Sequence, residues 1–119
     1  MPSDKFIAYY YAAAGVKGRR DSSLERQRAV VMSYLNGGHW TLLERHTEKP
    51  GARRHRRRPA LGDALVACRT HNAALVVAEP EYLAEDEVFR TELDRAGVEC
   101  WVVEQVPFAT PRARPLGRR

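Results

Sequence analysis

The densest chemistry in the chain is cationic. Arg53, Arg54, Arg56, Arg57 and Arg58 place five guanidinium groups within six residues. Guanidinium forks pair with phosphate oxygens two at a time, so a run of this density fits contact with DNA, RNA or another polyanion. A solvated loop is the simpler use of the same charges, but the concentration exceeds what solubility asks of a surface. Further along the sign reverses at Glu79, Glu81, Glu85, Asp86 and Glu87. Such carboxylates could hold a divalent metal as in a nuclease; no histidine stands at ligand spacing beside them, and an exposed acidic loop is the commoner form. Ser22 and Ser23 could supply a nucleophile, but a helix-capping role explains them without chemistry. His39, His46, His55 and His71 are scattered and form no metal pattern. No cofactor and no metal are expected.

These residues must be positioned by the elements around them. Lys5 to Tyr11 (KFIAYYY) reads as a strand, followed by a small-residue, Gly-containing loop from Ala12 to Gly18. Its Tyr9-Tyr10-Tyr11 run is expected to alternate between core and surface. Ser22 and Glu25 stand as a capping box, which opens a helix with Leu24, Gln27, Val31 and Tyr34/Leu35 on one face. Gly37-Gly38 closes it. His39 to His46 reads as a second strand, and Thr47 to Arg58 as an exposed loop. Pro59 suits the first turn of a helix whose Leu61, Ala64, Leu65 and Cys68 recur at helical spacing. Ala73 to Ala78 is an apolar run of strand length, as in a strand covered on both faces. Leu83, Phe89, Leu93 and Ala96 mark a third helix closed by Gly97, and Val98 to Val103 a fourth strand. Cys68 and Cys100 read as core residues. The alternation predicts an α/β fold: three layers, α/β/α, around a mainly parallel sheet of about four strands.

Composition narrows the class. The 119 residues suffice for one domain with a real core. Residues 1–106 read as that domain and 107–119 as a basic Pro/Arg-rich tail, more disordered than ordered. No apolar run approaches the roughly 20 residues of a membrane span. The opening Met1-Pro2-Ser3-Asp4-Lys5 lacks the order of a signal peptide. Two cysteines are too few for a disulfide scaffold or a Cys-rich zinc module, so a cytoplasmic, reducing setting is the default. The net charge of +5 is uneven. Residues 1–58 hold 13 Lys/Arg against 5 Asp/Glu, residues 78–105 hold 2 against 9, and residues 106–119 hold 4 Arg. The surface as a whole is therefore not a nucleic-acid face.

Several strings, in order, resemble the N-terminal catalytic domain of serine recombinases, the resolvase/invertase family. Ala8-Tyr9-Tyr10-Tyr11-Ala12-Ala13-Ala14 stands where the large-recombinase branch has a string like AYYRVST. Leu24-Glu25-Arg26-Gln27-Arg28 is similar to its LEAQR-type helix start. Arg58-Pro59-Ala60-Leu61 and Ala64-Leu65 followed by Cys68-Arg69 fit two further strings. Leu75-Val76-Val77-Ala78 matches the strand that leads into the family's KLDRLSR motif, and Gly97-Val98 and Ala109-Thr110 fit as well. The likeness covers about residues 5–110 and implies a resolvase-like domain linked to DNA recombination.

The departures fall on the chemistry the resemblance implies. In the family a serine attacks a DNA phosphodiester while arginines stabilise the charge that develops on the phosphate. The nucleophile position is Ala13 here, and the arginine two residues earlier is Tyr11. In the KLDRLSR segment the lysine is Glu79, the aspartate Glu81, and the two arginines Tyr82 and Glu85. Arg58 matches a phosphate-contacting arginine of the family and alone survives. Loss of a nucleophile removes the reaction route, and each lost donor costs about 2.7–4 kcal/mol of transition-state stabilisation. The expectation is a catalytically inactive domain that contacts DNA through the phosphate backbone, without sequence preference, or that pairs with an active recombinase or with a second copy of itself. The alternative is an enzyme that still cuts DNA, either a divergent recombinase or a metal-dependent nuclease.

Overall fold

The computed structural model describes residues 4–11, 17–36, 40–48, 58–78, 86–107, 109 and 111–116. In chain order the elements are β1 (Lys5–Tyr11), α1 (Lys17–Asn36), β2 (Thr41–Glu48), α2 (Pro59–His71), β3 (Ala74–Ala78), α3 (Glu87–Ala96), β4 (Cys100–Glu104) and β5 (Arg112–Pro115). The strands form one sheet in the order β2-β1-β3-β4-β5. β1 pairs in parallel with β2 and β3, β3 pairs in parallel with β4, and β5 closes the edge antiparallel to β4. This is the α/β class read from the sequence, with one strand more.

The layering follows from the order. The chain moves outward from β1 to β2, then back across β1 to β3. Crossovers of one hand therefore place the first helix and the later ones on opposite faces. Alternate residues of β1 show the consequence. Phe6, Ala8 and Tyr10 pack with Val31 and Leu35 of α1, while Ile7, Tyr9 and Tyr11 pack with Leu61, Leu65 and Cys68 of α2 and Phe89 of α3. Leu75, Val76 and Val77 are buried as expected. Cys68 and Cys100 are both core residues.

Three sequence expectations are corrected. Tyr9, Tyr10 and Tyr11 do not alternate between core and surface; all are buried, because β1 is an interior strand covered on both faces. The first helix begins at Lys17, which puts Ser22 inside it rather than at its cap. Lysine and arginine are good helix formers, so the helix extends back through Lys17, Arg19 and Arg20 past a local capping pattern. The segment beyond 106 contributes β5, whose Val103–Ala113 and Val102–Arg114 pairings continue the sheet. Strand pairing against β4 overrides the Pro/Arg composition that reads as a tail.

The helix ends explain themselves locally. α2 opens on Pro59 and closes at Asn72, which takes the left-handed conformation with φ 52°. Asp86 caps α3, its carboxylate accepting from the Val88 and Phe89 amides, and Gly97 closes it at φ 66°. No helix among the described residues is long and apolar enough to cross a membrane.

Candidate functional site at the carboxyl ends of the strands

In an open parallel sheet, ligands bind beyond the carboxyl ends of the strands where the order reverses. Here that point lies between β1 and β3. Their pairing covers Phe6–Ala8 against Ala74–Val76 and goes no further. Past it, Gln27 of α1 completes β1. Its side-chain carbonyl accepts from the Tyr11 amide at 3.1 Å, and its amide donates to the Tyr11 carbonyl at 2.8 Å. A buried side-chain amide thus stands in for a neighbouring strand, as a buried backbone pair requires.

Two further buried polar clusters line the same end. Glu48, the last residue of β2, is fully buried. It accepts from the Tyr9 hydroxyl at 2.9 Å and from the Ala60 and Leu61 amides at 3.2 and 3.1 Å. Its charge thereby sits at the amino end of α2, where the helix dipole and free amides favour an anion. Burial and the facing Glu48 carboxylate push the Tyr9 phenol far above its ordinary range, so it stays a donor. The second cluster is an ion pair. Arg58 donates from Nε and Nη2 to Asp86 at 3.0–3.2 Å. The Arg58 guanidinium also lies 5.5 Å from the centre of the Tyr11 ring.

The residues singled out from sequence fall into two groups. Tyr11 and Arg58 are described and are brought together. Tyr11 is buried beneath Arg58. Arg58 was expected among the exposed residues of a basic loop, and is instead buried. The cause is Asp86, which supplies both the opposite charge and the hydrogen bonds that a buried guanidinium needs. Ala13, Arg53, Arg54, Arg56, Arg57, Glu79, Glu81, Tyr82 and Glu85 lie outside the described residues. In the chain they follow the carboxyl ends of β1, β2 and β3.

Three functional groups were not legible as such. Asp86 read as one carboxylate of an acidic stretch. The signal for its real place was there: an Asp immediately ahead of an amphipathic helix is a cap. Glu48 carries no local signal, since its partners lie 12 to 39 residues away, and the helical spacing that turns Gln27 inward does not announce its bonds to Tyr11, 16 residues away. On the α2 face, Glu44 meets both His46 Nε2, at 2.9 Å, and His71 Nε2, at 3.3 Å, which ties the end of α2 to β2. Among the described residues no group of three His, Cys, Asp or Glu converges to hold a metal ion. Neither thiol is poised as a nucleophile. Burial, then the nearby Glu44, pushes Cys68 up to about 12, and burial pushes Cys100 well above the ordinary thiol range.

No protein-family profile matches the chain, and no curated protein matches it either.

Proposed function

We propose that the chain is a resolvase-like domain without strand-exchange activity that contacts DNA through the phosphate backbone. The observation that carries the loss of activity is the state of Arg58. This arginine is the one phosphate-directed group of the family that the chain retains, and its charge is spent on a buried carboxylate. A guanidinium held by two oxygens of Asp86 has little left to offer a developing phosphate charge. The substitutions at Ala13, Tyr11, Glu79 and Glu85 support the same reading. The DNA contact rests on Arg53, Arg54, Arg56 and Arg57, four guanidiniums that directly precede the buried one.

Two assays on the purified full chain test this. Incubation with supercoiled DNA should give neither cleavage nor a covalent adduct; an adduct that survives denaturant overturns the reading, and cleavage dependent on Mg²⁺ or Mn²⁺ turns it toward a metal nuclease. Filter binding across salt concentrations should show sequence-tolerant affinity. For about four phosphates engaged, the slope of log K against log salt is roughly −4. Replacing Arg53, Arg54, Arg56 and Arg57 together by Ser should flatten it. A wild type without measurable affinity at low salt makes protein recognition, with an active recombinase or a second copy as partner, the better account.

A further inference from the structure

One buried polar atom among the described residues has no partner: the Tyr10 hydroxyl. Tyr10 is 1% exposed, and a buried hydroxyl is rarely left unpaired without a reason. Its surroundings supply one. The Arg28 guanidinium of α1 lies 5.8 Å from the centre of the Tyr10 ring. Arg45 pairs with Ala8 in the β1–β2 register, on the same face as Tyr10 and one diagonal step away. Both arginines act electrostatically on the phenol, both are exposed, and neither is in an ion pair among the described residues. Three other arginines are paired, at Arg58–Asp86, Arg95–Glu92 and Arg114–Glu104, while Arg26, Arg69 and Arg112 are, like these two, in no ion pair among the described residues. The acidic neighbours of Arg45 do not serve it. Glu44 and Glu48 sit opposite Ile7 and Tyr11 in the register, on the other face of the sheet.

We propose that Tyr10, Arg28 and Arg45 form a binding site for a phosphoryl group on the α1 face of the sheet. The hydroxyl donates one hydrogen bond and the two guanidiniums donate the rest to a tetrahedral oxyanion. The two cations balance the charge of the ligand, and the ligand satisfies the one buried hydroxyl left unpaired among the described residues. Burial raises the Tyr10 phenol above its ordinary range despite both arginines, so it remains a donor at every physiological pH. Arg45 and Thr47 on that side of β2 are exposed, whereas the Tyr10 hydroxyl is itself buried, so binding requires the side chains over it to give way. The site lies on the opposite face from Arg58 and Asp86 and does not rest on the recombinase-like reading. Phosphate binding here without any DNA affinity would retain the one and remove the other.

The phosphoryl group can belong to a nucleic-acid backbone or to a small phosphorylated ligand, and titration separates the two. Inorganic phosphate is added to the full chain at low chloride, with the tyrosines ¹³C-labelled at the hydroxyl-bearing carbon. The Tyr10 resonance should shift saturably. Read on backbone amide resonances, which every variant keeps, Tyr10→Phe and the double change Arg28→Gln with Arg45→Gln should each weaken binding by about tenfold or more. Both alter an exposed group or an unpartnered hydroxyl, so both variants should fold; Tyr10→Phe should melt no lower than wild type. The same variants are then tested with a short DNA duplex. A parallel loss of duplex affinity assigns the site to the nucleic-acid backbone, and an unchanged duplex affinity assigns it to a small ligand. The proposal is overturned if no saturable shift appears up to about 10 mM phosphate, or if either variant binds phosphate as the wild type does.

Discussion

Arg58 and Asp86, 28 residues apart in the chain, meet as a buried ion pair with Nη2 and Oδ2 3.0 Å apart and side chains 1% and 3% exposed. The pair joins the first residue before α2 to the cap of α3 and so fixes the spacing of two helix amino ends on one face of the sheet. A buried pair of this kind is weak evidence for net stability, because desolvation offsets most of the attraction, yet breaking it is costly.

Arg58→Met should therefore destabilise the chain by about 3–5 kcal/mol, since it strands the Asp86 carboxylate in the interior. Adding Asp86→Ser removes that charge while keeping a side chain able to cap α3. Urea unfolding should find the double variant more stable than Arg58→Met alone. A double variant that is less stable would show that the pair acts only as two independent residues.

Glu48 carries a comparable burden at the amino end of α2. Glu48→Ala leaves the Tyr9 hydroxyl and the Ala60 and Leu61 amides without their acceptor. The cost should reach about 3 kcal/mol, a melting point lower by roughly 10 °C. Hydrogen exchange gives the more specific readout: the Ala60 and Leu61 amides should lose protection beyond the global change. Equal loss at every amide would mean that Glu48 does not cap this helix.

The thiols give a third check. Both cysteines are free and buried, and Cys68 is pushed up to about 12. Thiolate is the reactive form, so native protein at pH 8 should not react with a disulfide reagent, whereas urea-unfolded protein should release two equivalents. Rapid labelling of one thiol in the native state would contradict the packing of the α2 layer.

The sequence made the sheet legible because its information is local. Runs such as Ala74–Ala78 and the Leu61, Ala64, Leu65, Cys68 spacing name their own elements, and the alternation of elements names the class. Signals that compete locally were misleading. The Ser22–Glu25 pattern could be a cap, but Lys17 to Arg20 carries the helix through it. Arg112 to Pro115 looks like a tail until β4 offers it a partner. The site was legible only in part, for a different reason. Composition reports that charges are dense near Arg58 but not that one of them is withdrawn into the core. That outcome depends on Asp86, brought over by the β3–α3 connection, and on Tyr11 at the end of β1. Gln27 illustrates the same limit. Its place on the inner face of α1 follows from periodicity, while its role at the end of β1 follows only from where β1 and β3 stop pairing.

High pH should unfold the chain steeply, for reasons set by four buried groups. Burial raises the phenols of Tyr9 and Tyr10 from an ordinary value of 10.0 and the thiols of Cys68 and Cys100 from 9.0. The folded state then keeps these protons at pH values where the unfolded chain releases them. The unfolded state binds fewer protons, so stability falls as pH rises. The contribution is intact below pH 9, begins to fade as the thiols of the unfolded chain ionise, and fades faster above pH 10 when its phenols follow. Each group adds up to about 1.4 kcal/mol per pH unit, and only between its unfolded-state and folded-state values. Tyr10→Phe isolates one of them, because the Tyr10 hydroxyl has no hydrogen bond to lose. Urea unfolding at a series of pH values from neutral to alkaline should give the variant a shallower decline above pH 10, by about one group's share, with no change near neutrality beyond a small gain. An identical decline in wild type and variant would mean that the Tyr10 phenol ionises in the folded state, which is incompatible with its burial beneath α1.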